Sequence, residues 1–290
     1  MKNNGRIYRN SMVVFMLAVM VTGCGFPKTD WKVTQYADES GGQANFYTLS
    51  SNRGDLIVVD GGTEENADYV KSVIEEKGGE VDAWILTHPH PDHIGAFVQL
   101  YQDPEIRIEK VYDNGVALTE YEAVDQEWDE IAIFKEYLTI TDGAGNVESV
   151  NEGEELLFDA LSVKFYNGYQ KGMSSEIKDM PNNSSLVFKA ESEDKSILFT
   201  GDCYEETLSQ KMLQKYGDEL HVDYVQMAHH GNNTLPIAFY KNTGATAAFF
   251  DAPEWLIQGQ NYDTLQNMRA MEELGMTIYD YTSCPNEIDL

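Results

Sequence analysis

Five of the six histidines in this 290-residue chain occur in two short segments. The segments are His88-Pro89-His90-Pro91-Asp92-His93 and the pair His229-His230. The first follows an apolar run at 84–87 that is typical of a buried strand, so its polar side chains begin where a strand ends and a loop starts. Imidazole and carboxylate groups are the usual ligands of zinc and related ions. The sequence therefore predicts a metal centre at the edge of a sheet.

The spacing within the first segment suits two ions. Residues two apart in an extended segment point the same way, so His88 and His90 can face one metal. Asp92 and His93 are displaced by Pro91 and the turn after it, so they can face a second metal a few ångströms away, as in two-metal hydrolases. The alternative is a polar loop with hydrogen-bonded or solvated histidines. Four ligand-type side chains in six positions favour the metal.

This arrangement resembles the signature of the metallo-β-lactamase superfamily, in which His-x-His-x-Asp-His follows a strand. Three further motifs occur in the order found in that superfamily: Val58-Val59-Asp60-Gly61-Gly62, Ile197-Leu198-Phe199-Thr200-Gly201-Asp202 and Met227-Ala228-His229-His230-Gly231. Within the superfamily the pattern is most similar to the hydrolase domain of the competence protein ComEC, where Asn-x-x-Ser-Leu-Val precedes the Thr-Gly-Asp motif. Here that segment lies at 182–187. The resemblance extends from about residue 31 to the C-terminus.

The resemblance implies a set of ligands: His88 and His90 on the first metal, Asp92 and His93 on the second, and Asp202 bridging both. One histidine of the second segment completes the ligand set of the second metal. His230 is the preferred ligand because it directly precedes the glycine, and His229 then lies behind the ligands or faces the substrate. Asp60 orients a ligand histidine through its other ring nitrogen or caps the turn at 61–62, and both roles can hold together.

Two positions depart from the family pattern. Many members place a third histidine on the first metal where this chain has Asn182, and an amide oxygen is a weaker, harder ligand than imidazole. We therefore expect the first metal to bind loosely, to accept manganese as well as zinc, or to bind only with substrate. Gln226 replaces a lysine that ComEC-like domains carry before the histidine pair. This loss of a positive charge argues against a nuclease function.

The composition also argues against nucleic acid. The chain has 49 acidic and 20 basic residues and a formal net charge of -29. Non-specific affinity for nucleic acid comes mostly from cations that meet phosphates, so an acidic surface repels a polyanion. The alternative explanation of the charge is simple solubility in an exposed, saline setting.

The N-terminus predicts export. Lys2, Arg6 and Arg9 precede an apolar run at 12–21, which is too short for a membrane-spanning helix and is typical of a signal peptide. The run ends in Val21-Thr22-Gly23-Cys24, which resembles a bacterial lipobox. We expect residues 1–23 to be a lipoprotein signal peptide and Cys24 to carry the lipid that anchors the protein outside the cell, the alternative being ordinary secretion. Cys203 and Cys284 remain, and their spacing does not decide whether they pair.

Residues 24–290 are enough for one large domain, and no linker or repeat divides them. Strand-like runs at 56–59, 83–86, 186–188, 197–200, 224–227 and 247–250 alternate with helix-like stretches at 66–76, 205–216 and 262–274. In the last stretch, Leu265, Met268, Met271 and Leu274 are predicted to be core. This order suits a four-layer αββα sandwich of the α+β class, with ligands on loops at one edge.

The segment 101–180 is acidic and rich in aromatic residues: Tyr121, Trp128, Phe134, Tyr137, Phe165, Tyr166 and Tyr169. These side chains are expected either to form a pocket wall that sets specificity or to be ordinary packing residues of an insertion.

Together these features predict a surface-anchored hydrolase that uses one or two zinc ions, with manganese as a possible substitute. A metal-bound hydroxide is expected to attack a phosphoester or phosphodiester of a small or cell-envelope substrate, with Asp92 and His229 as catalytic residues. Esters of phosphorylcholine are one case. Lactone, thioester or β-lactam hydrolysis ranks second, although a fold carries no substrate with it. A non-catalytic, metal-containing binding module is the remaining alternative.

Overall fold

The computed structural model describes residues 28–126 and 129–290, so the predicted signal peptide, Cys24 and Trp128 lie outside the described residues. The strands are β1 Trp31–Gln35, β2 Phe46–Ser51, β3 Leu56–Asp60, β4 Glu80–Val81, β5 Ala83–Ile85, β6 Arg107–Ile108, β7 Val111–Asp113, β8 Val147–Ser149, β9 Glu155–Phe158, β10 Leu161–Asn167, β11 Val187–Ser192, β12 Ser196–Phe199, β13 Tyr224–Gln226, β14 Ala247–Phe249, β15 Thr277–Tyr279 and β16 Asn286–Asp289. The helices are α1 Ala67–Glu76, α2 Pro91–Leu100, α3 Leu118–Val124, α4 Ala132–Ile140, α5 Met180–Asn183, α6 Glu206–Tyr216, α7 Ile237–Thr243, α8 Glu254–Gln258 and α9 Thr264–Glu273.

Two seven-stranded sheets form the centre of the molecule. The first has the order β16-β1-β2-β3-β5-β7-β8 and the second the order β15-β14-β13-β12-β11-β10-β9. In each sheet the pairing changes from antiparallel to parallel at one strand, β3 in the first sheet and β12 in the second. Parallel neighbours end at the same edge, so the loops after β3, β5, β12 and β13 can meet there.

Side-chain alternation along the strands produces four layers. In β3, Ile57 and Val59 pack between the two sheets, whereas Leu56 and Val58 face the helices. Phe199 of β12 likewise belongs to the core between the sheets. Because successive residues of a strand point to opposite faces, each sheet buries both of its surfaces. The predicted αββα sandwich is confirmed.

The predicted helices and strands occur within a few residues of their expected bounds. One predicted core face holds only in part, since Met268 and Met271 pack in or against the core but Leu265 and Leu274 do not. In α9, Met271 is fully buried, whereas Leu265 and Leu274 are 38% and 36% exposed. Residues three apart on an α-helix drift by about 60° per step, so a run at 265, 268, 271 and 274 spreads around half the helix. The buried residues of this helix are instead Thr264 and Met271.

The last strand lies beside the first. Strand β16 pairs antiparallel with β1, with Lys32 opposite Asp289, and the Leu290 amide donates to the Trp31 carbonyl at 2.8 Å. This pairing makes β16 one of the two edge strands of the first sheet. Within the described residues, none of the helices combines the length and apolar character needed to cross a bilayer.

Candidate metal centre

The first histidine segment is divided by the start of a helix. After β5, residues 86–90 form a connecting segment with a bend at 88–89, and α2 begins at Pro91. Proline is favoured at this first helical position because its fixed φ suits the helix and its missing N–H has no helical partner there. His88 and His90 therefore lie before the helix, on the bent connecting segment, whereas Asp92 and His93 lie in the first turn of α2.

His88, His93 and Asp202 form one group of ligand-type atoms. The Asp202 carboxylate, which follows β12, lies 3.3 Å from Nε2 of His93 and 3.9 Å from Nε2 of His88. The three side chains are almost fully buried. Their ligand atoms lie within 4.8 Å of one another, a geometry that can hold one cation.

A second group adjoins the first and shares His93 with it. It consists of Asp92, His93 and His230. Nε2 of His230 lies 3.1 Å from Oδ2 of Asp92 and 3.5 Å from Oδ2 of Asp202. Asp202 therefore stands between the two groups, in contact with histidines of both.

The two histidines after β13 have different surroundings. Nδ1 of His230 donates to the Asp251 carbonyl at 2.9 Å, which leaves its Nε2 in the second group. The His229 ring stacks on Tyr204 with centroids 5.3 Å apart, and its Nδ1 is buried without a hydrogen-bond partner. Both residues have left-handed backbones, with φ of 52° and 55°. Such conformations cost roughly 1–2 kcal/mol for a non-glycine residue and are typical of functional sites.

His90 lies apart from both groups and near two carboxylates. Its Nε2 is 3.4 Å from Oδ1 of Asp129, and the ligand atoms of His90, Asp129 and Asp179 lie within 4.8 Å of one another. Asn182 is attached to the same cluster because its Nδ2 donates to Asp179 at 2.9 Å. The ligand role of Asn182 stays a prediction. Sequence reasoning missed Asp129 and Asp179, since nothing in the local sequence distinguishes them from the other acidic residues.

Charge pairing controls the protonation of these groups. Burial lowers the pKa of His230, but the Asp202 and Asp92 carboxylates together outweigh burial and raise the pKa to about 10. The pKa of His93 is likewise raised despite burial, chiefly by Asp202 and Asp60. The pKa of His88 is lowered well below its ordinary value, chiefly by burial. Metal binding must displace the protons that the carboxylates hold on His93 and His230.

The residues present fit a divalent metal. Several ligand-type atoms are buried without a hydrogen-bond partner among the described residues: Nε2 of His88, His90, His93 and His230, and Oδ1 of Asp129 and Asp202. Buried polar atoms left without partners cost about 1–3 kcal/mol each. Imidazole nitrogens and carboxylate oxygens in this density are the donor set of zinc, manganese and iron. One or two ions would supply the missing partners.

Other residues noted in the sequence have structural roles. Gln226 is buried, accepts from the Thr200 amide at 2.8 Å and donates to Asp251, so it joins neighbouring strands. Cys203 and Cys284 are both free, and burial raises the pKa of each thiol to about 12. Most described aromatic residues of 101–180 are packing residues, as Phe165 between the sheets shows.

An acidic groove leads to the centre. It has a volume of about 590 Å³ and reaches Asp92, whose Oδ2 accepts from Gln43 at 2.8 Å. No lysine or arginine of the described residues lines the groove. Four glutamates do: Glu64, Glu65, Glu130 and Glu136. The groove therefore favours molecules that carry positive charge.

Comparison with known proteins agrees with the fold and the motifs. A family model described as the metallo-beta-lactamase superfamily matches residues 40–203. The RNase aCSPSF2 of Saccharolobus solfataricus is 27% identical over 158 residues, which cover 53% of this chain and only 29% of that protein.

Two solved structures share the fold. The metallo-beta-lactamase fold protein YhfI from Bacillus subtilis has a TM-score of 0.55 at 13% identity, covering 91% of this chain and 100% of that one. CmlA, a diiron beta-hydroxylase from Streptomyces venezuelae, has a TM-score of 0.52 at 15% identity, covering 91% of this chain and 54% of that one. At these identities the likeness concerns the fold alone. Because the family model spans more than half of the chain and includes the first histidine segment and Asp202, the chain belongs to the metallo-beta-lactamase superfamily.

Proposed function

We propose that this protein is a metal-dependent hydrolase that cleaves a phosphoester or phosphodiester of small or cell-envelope character. One observation carries the proposal: two adjoining groups of buried ligand atoms share His93, and Asp202 contacts both. Paired divalent ions supply a water that is nucleophilic at neutral pH and neutralise the charge that develops on the substrate. The metal ligands in this proposal are His88, His93, Asp202, Asp92 and His230, with His90 at the adjacent cluster.

Two further side chains are suited to handling protons. Asp92 lies where the second group meets the groove, in contact with both His230 and Gln43. A carboxylate in this position can orient the attacking water and hold its proton. His229 keeps an unpartnered Nδ1 beside the centre and is held by its stacking on Tyr204. It is the candidate for delivering a proton to the leaving group.

The charge of the groove supports a substrate with a cationic part. A phosphate ester that also carries a quaternary ammonium group would place its phosphate at the metals and its positive charge near Glu64, Glu65 and the other groove glutamates. Phosphorylcholine esters have this composition and are the preferred model substrates. Lactones and thioesters lack the cationic group and rank lower.

Cleavage of RNA is the second candidate, because the Saccharolobus solfataricus relative is an RNase. Both candidates involve phosphodiesters, so the same metal centre would serve either. The net charge of -29 and the acidic groove weigh against a long polyanion. The similarity to ComEC-like domains therefore stays a prediction, and it supports RNA as the substrate less strongly than the acidic groove supports a cationic ester.

Turnover by purified, metal-loaded protein tests the proposal. We expect hydrolysis of p-nitrophenyl phosphorylcholine and of bis-p-nitrophenyl phosphate, with the first preferred, and a loss of about 100-fold or more in Asp92→Asn. Asp218→Asn, which removes an exposed carboxylate that does not line the groove, is the matched control. Faster cleavage of a single-stranded RNA would support the second candidate. Absence of turnover on all three, with metal bound, would favour the non-catalytic binding module.

We also propose that the protein is exported and attached to the outer face of the cell membrane through a lipid on Cys24. The basic start, the apolar run at 12–21 and the cysteine after Gly23 support this. Cys24→Ser should release the protein from membranes or leave its precursor uncleaved. Wild-type protein that is entirely soluble in the medium, with an N-terminus elsewhere, would refute the lipid anchor.

A further inference from the structure

His90, Asp129 and Asp179 form a cluster that the ligand pattern of the superfamily does not include. Nε2 of His90 and Oδ1 of Asp129 are both buried without a hydrogen-bond partner, although they lie only 3.4 Å apart. His90 is 8% exposed and Asp129 is 1% exposed. The distance and the missing hydrogen bond suggest that a third atom is needed between them.

The local structure orients one oxygen of Asp129 toward this cluster. The other side-chain oxygen of Asp129, Oδ2, accepts from the backbone N–H of Gln126 at 2.8 Å. The backbone carbonyl of Asp129 accepts from the Tyr121 hydroxyl at 3.3 Å. These bonds fix the side chain and leave Oδ1 facing His90. A buried carboxylate oxygen that is positioned but unpartnered is characteristic of a cation ligand.

The Asp179 side chain is also held in place by two hydrogen bonds. Its Oδ2 accepts from Asn182 at 2.9 Å and from the Tyr204 hydroxyl at 2.8 Å. Its backbone is left-handed, with φ of 50°, which aspartate tolerates better than most residues. Asn182 therefore serves this carboxylate through its amide nitrogen, while its Oδ1 is buried without a partner.

The charges of the cluster do not balance. One imidazole can neutralise at most one of two carboxylates, and among the described residues no lysine or arginine forms an ion pair with Asp129 or Asp179. Asp129 is buried, whereas Asp179 is only partly buried. A buried charge without an opposite charge is costly, and a divalent ion would satisfy both carboxylates at once.

We propose that His90, Asp129 and Asp179 bind a divalent cation of their own, beside the two groups that contain His93. The His88 ring is adjacent, with its centroid 4.7 Å from that of His90, so the cluster adjoins the group of His88, His93 and Asp202. Two carboxylates make the ligand set harder, so this position binds Mn²⁺ at a smaller disadvantage against Zn²⁺ than a site of three histidines does. The inference deepens the proposed function by naming ligands and an ion of the same centre, but it does not depend on which ester is cleaved.

Manganese binding to the full mature chain tests this directly. Metal-free protein is titrated with Mn²⁺ while the free ion is followed by electron paramagnetic resonance. In Asp129→Asn we expect one bound equivalent to weaken by about tenfold or more, and in the Asp129→Asn/Asp179→Asn double variant we expect it to be lost. Asp125→Asn, an exposed carboxylate of the same loop, should bind like the wild type. Unchanged stoichiometry and affinity in the folded double variant would overturn the proposal.

A gain of zinc preference provides a second readout that does not depend on loss. Asp129→His should raise the preference for Zn²⁺ over Mn²⁺ in a competition titration by about tenfold or more, because it replaces a carboxylate with an imidazole. An unchanged preference would count against Asp129 as a ligand. Ester turnover is measured separately. If manganese binding follows these variants while no ester is cleaved, the cation site stands and the hydrolase proposal fails.

Discussion

Asp60 is the last residue of β3, and its Oδ2 lies 2.7 Å from Nδ1 of His93, the residue that both metal groups share. Asp60 is fully buried, and the Thr87 amide and the Asn45 side chain also donate to it. An acceptor at Nδ1 fixes the orientation of the His93 ring and leaves Nε2 for a metal. Asp60 thus links strand β3 to both groups that share His93.

We predict that Asp60→Asn weakens metal binding by about 10–100-fold, because the amide is a poorer acceptor for the His93 ring. Zinc affinity should be measured by competition with a chromogenic chelator. The variant Asp218→Asn is the control for loss of one negative charge. Equal affinity of wild type and Asp60→Asn would show that Asp60 has only a structural role.

Replacing Asp202 should affect both metal groups. The purified mature protein is expected to contain between one and two equivalents of zinc or manganese, and Asp202→Ala should lose most of both, since Asp202 contacts histidines on each side. Elemental analysis after gel filtration measures the content. Full retention of metal in this variant contradicts the bridging role.

The two consecutive histidines should respond differently to the same substitution. His230→Gln should lose metal from the second group, because Nε2 of His230 contacts Asp92 and Asp202. His229→Gln should keep its metal but lower kcat by about 100-fold, the usual scale for removing a proton donor. Metal content and kcat are compared in both variants. The assignment is reversed if His229→Gln loses the metal.

The glycine after the first histidine segment is needed for close packing. A Cβ at Gly95 would lie 2.4 Å from the backbone nitrogen of Glu64, so α2, which carries Asp92 and His93, would have to move. We predict that Gly95→Ala lowers the free energy of unfolding by about 1–3 kcal/mol. Urea unfolding measures the change. Gly145→Ala, where the added carbon meets nothing within 4 Å, is the matched control and should not be destabilised by crowding.

Asp251 should make stability depend on pH. Burial raises its pKa from 3.8 to about 6, even though Tyr47 and Gln35 donate to it. Because the folded chain holds this proton more tightly than the unfolded chain, the contribution is present below about pH 4 and is lost as the pH rises through about 6. In metal-free protein, the free energy of unfolding of wild type relative to Asp251→Asn should fall by about 3 kcal/mol across this window. A relative stability that does not change with pH would show that Asp251 titrates normally.

The fold was largely predictable because its signals are local. Alternating apolar residues predict strands such as β3, and the histidine segments resemble motifs whose order implies the αββα sandwich. The exposed Leu265 of α9 shows the limit of this reasoning, since apolar residues at a spacing of three do not stay on one helix face.

The site was predictable only where its residues belong to motifs. His88, His93, Asp202 and His230 belong to motifs and lie close together in the structure, whereas Asp129 and Asp179 come from the segment without family motifs. Among 49 acidic residues, no local pattern identifies two that tertiary structure brings to one histidine. Their selection depends on the packing around Tyr121 and Tyr204, which the sequence does not reveal.

The pairing of β16 with β1 also determines when the domain can finish folding. The two strands come from opposite ends of the described chain, and contacts between such distant residues form late because a long loop must close first. Until β16 has joined the sheet, β1 presents a free strand edge that can pair with other chains. Deleting the last five residues would make that transient edge permanent, and such a truncated protein should aggregate during folding.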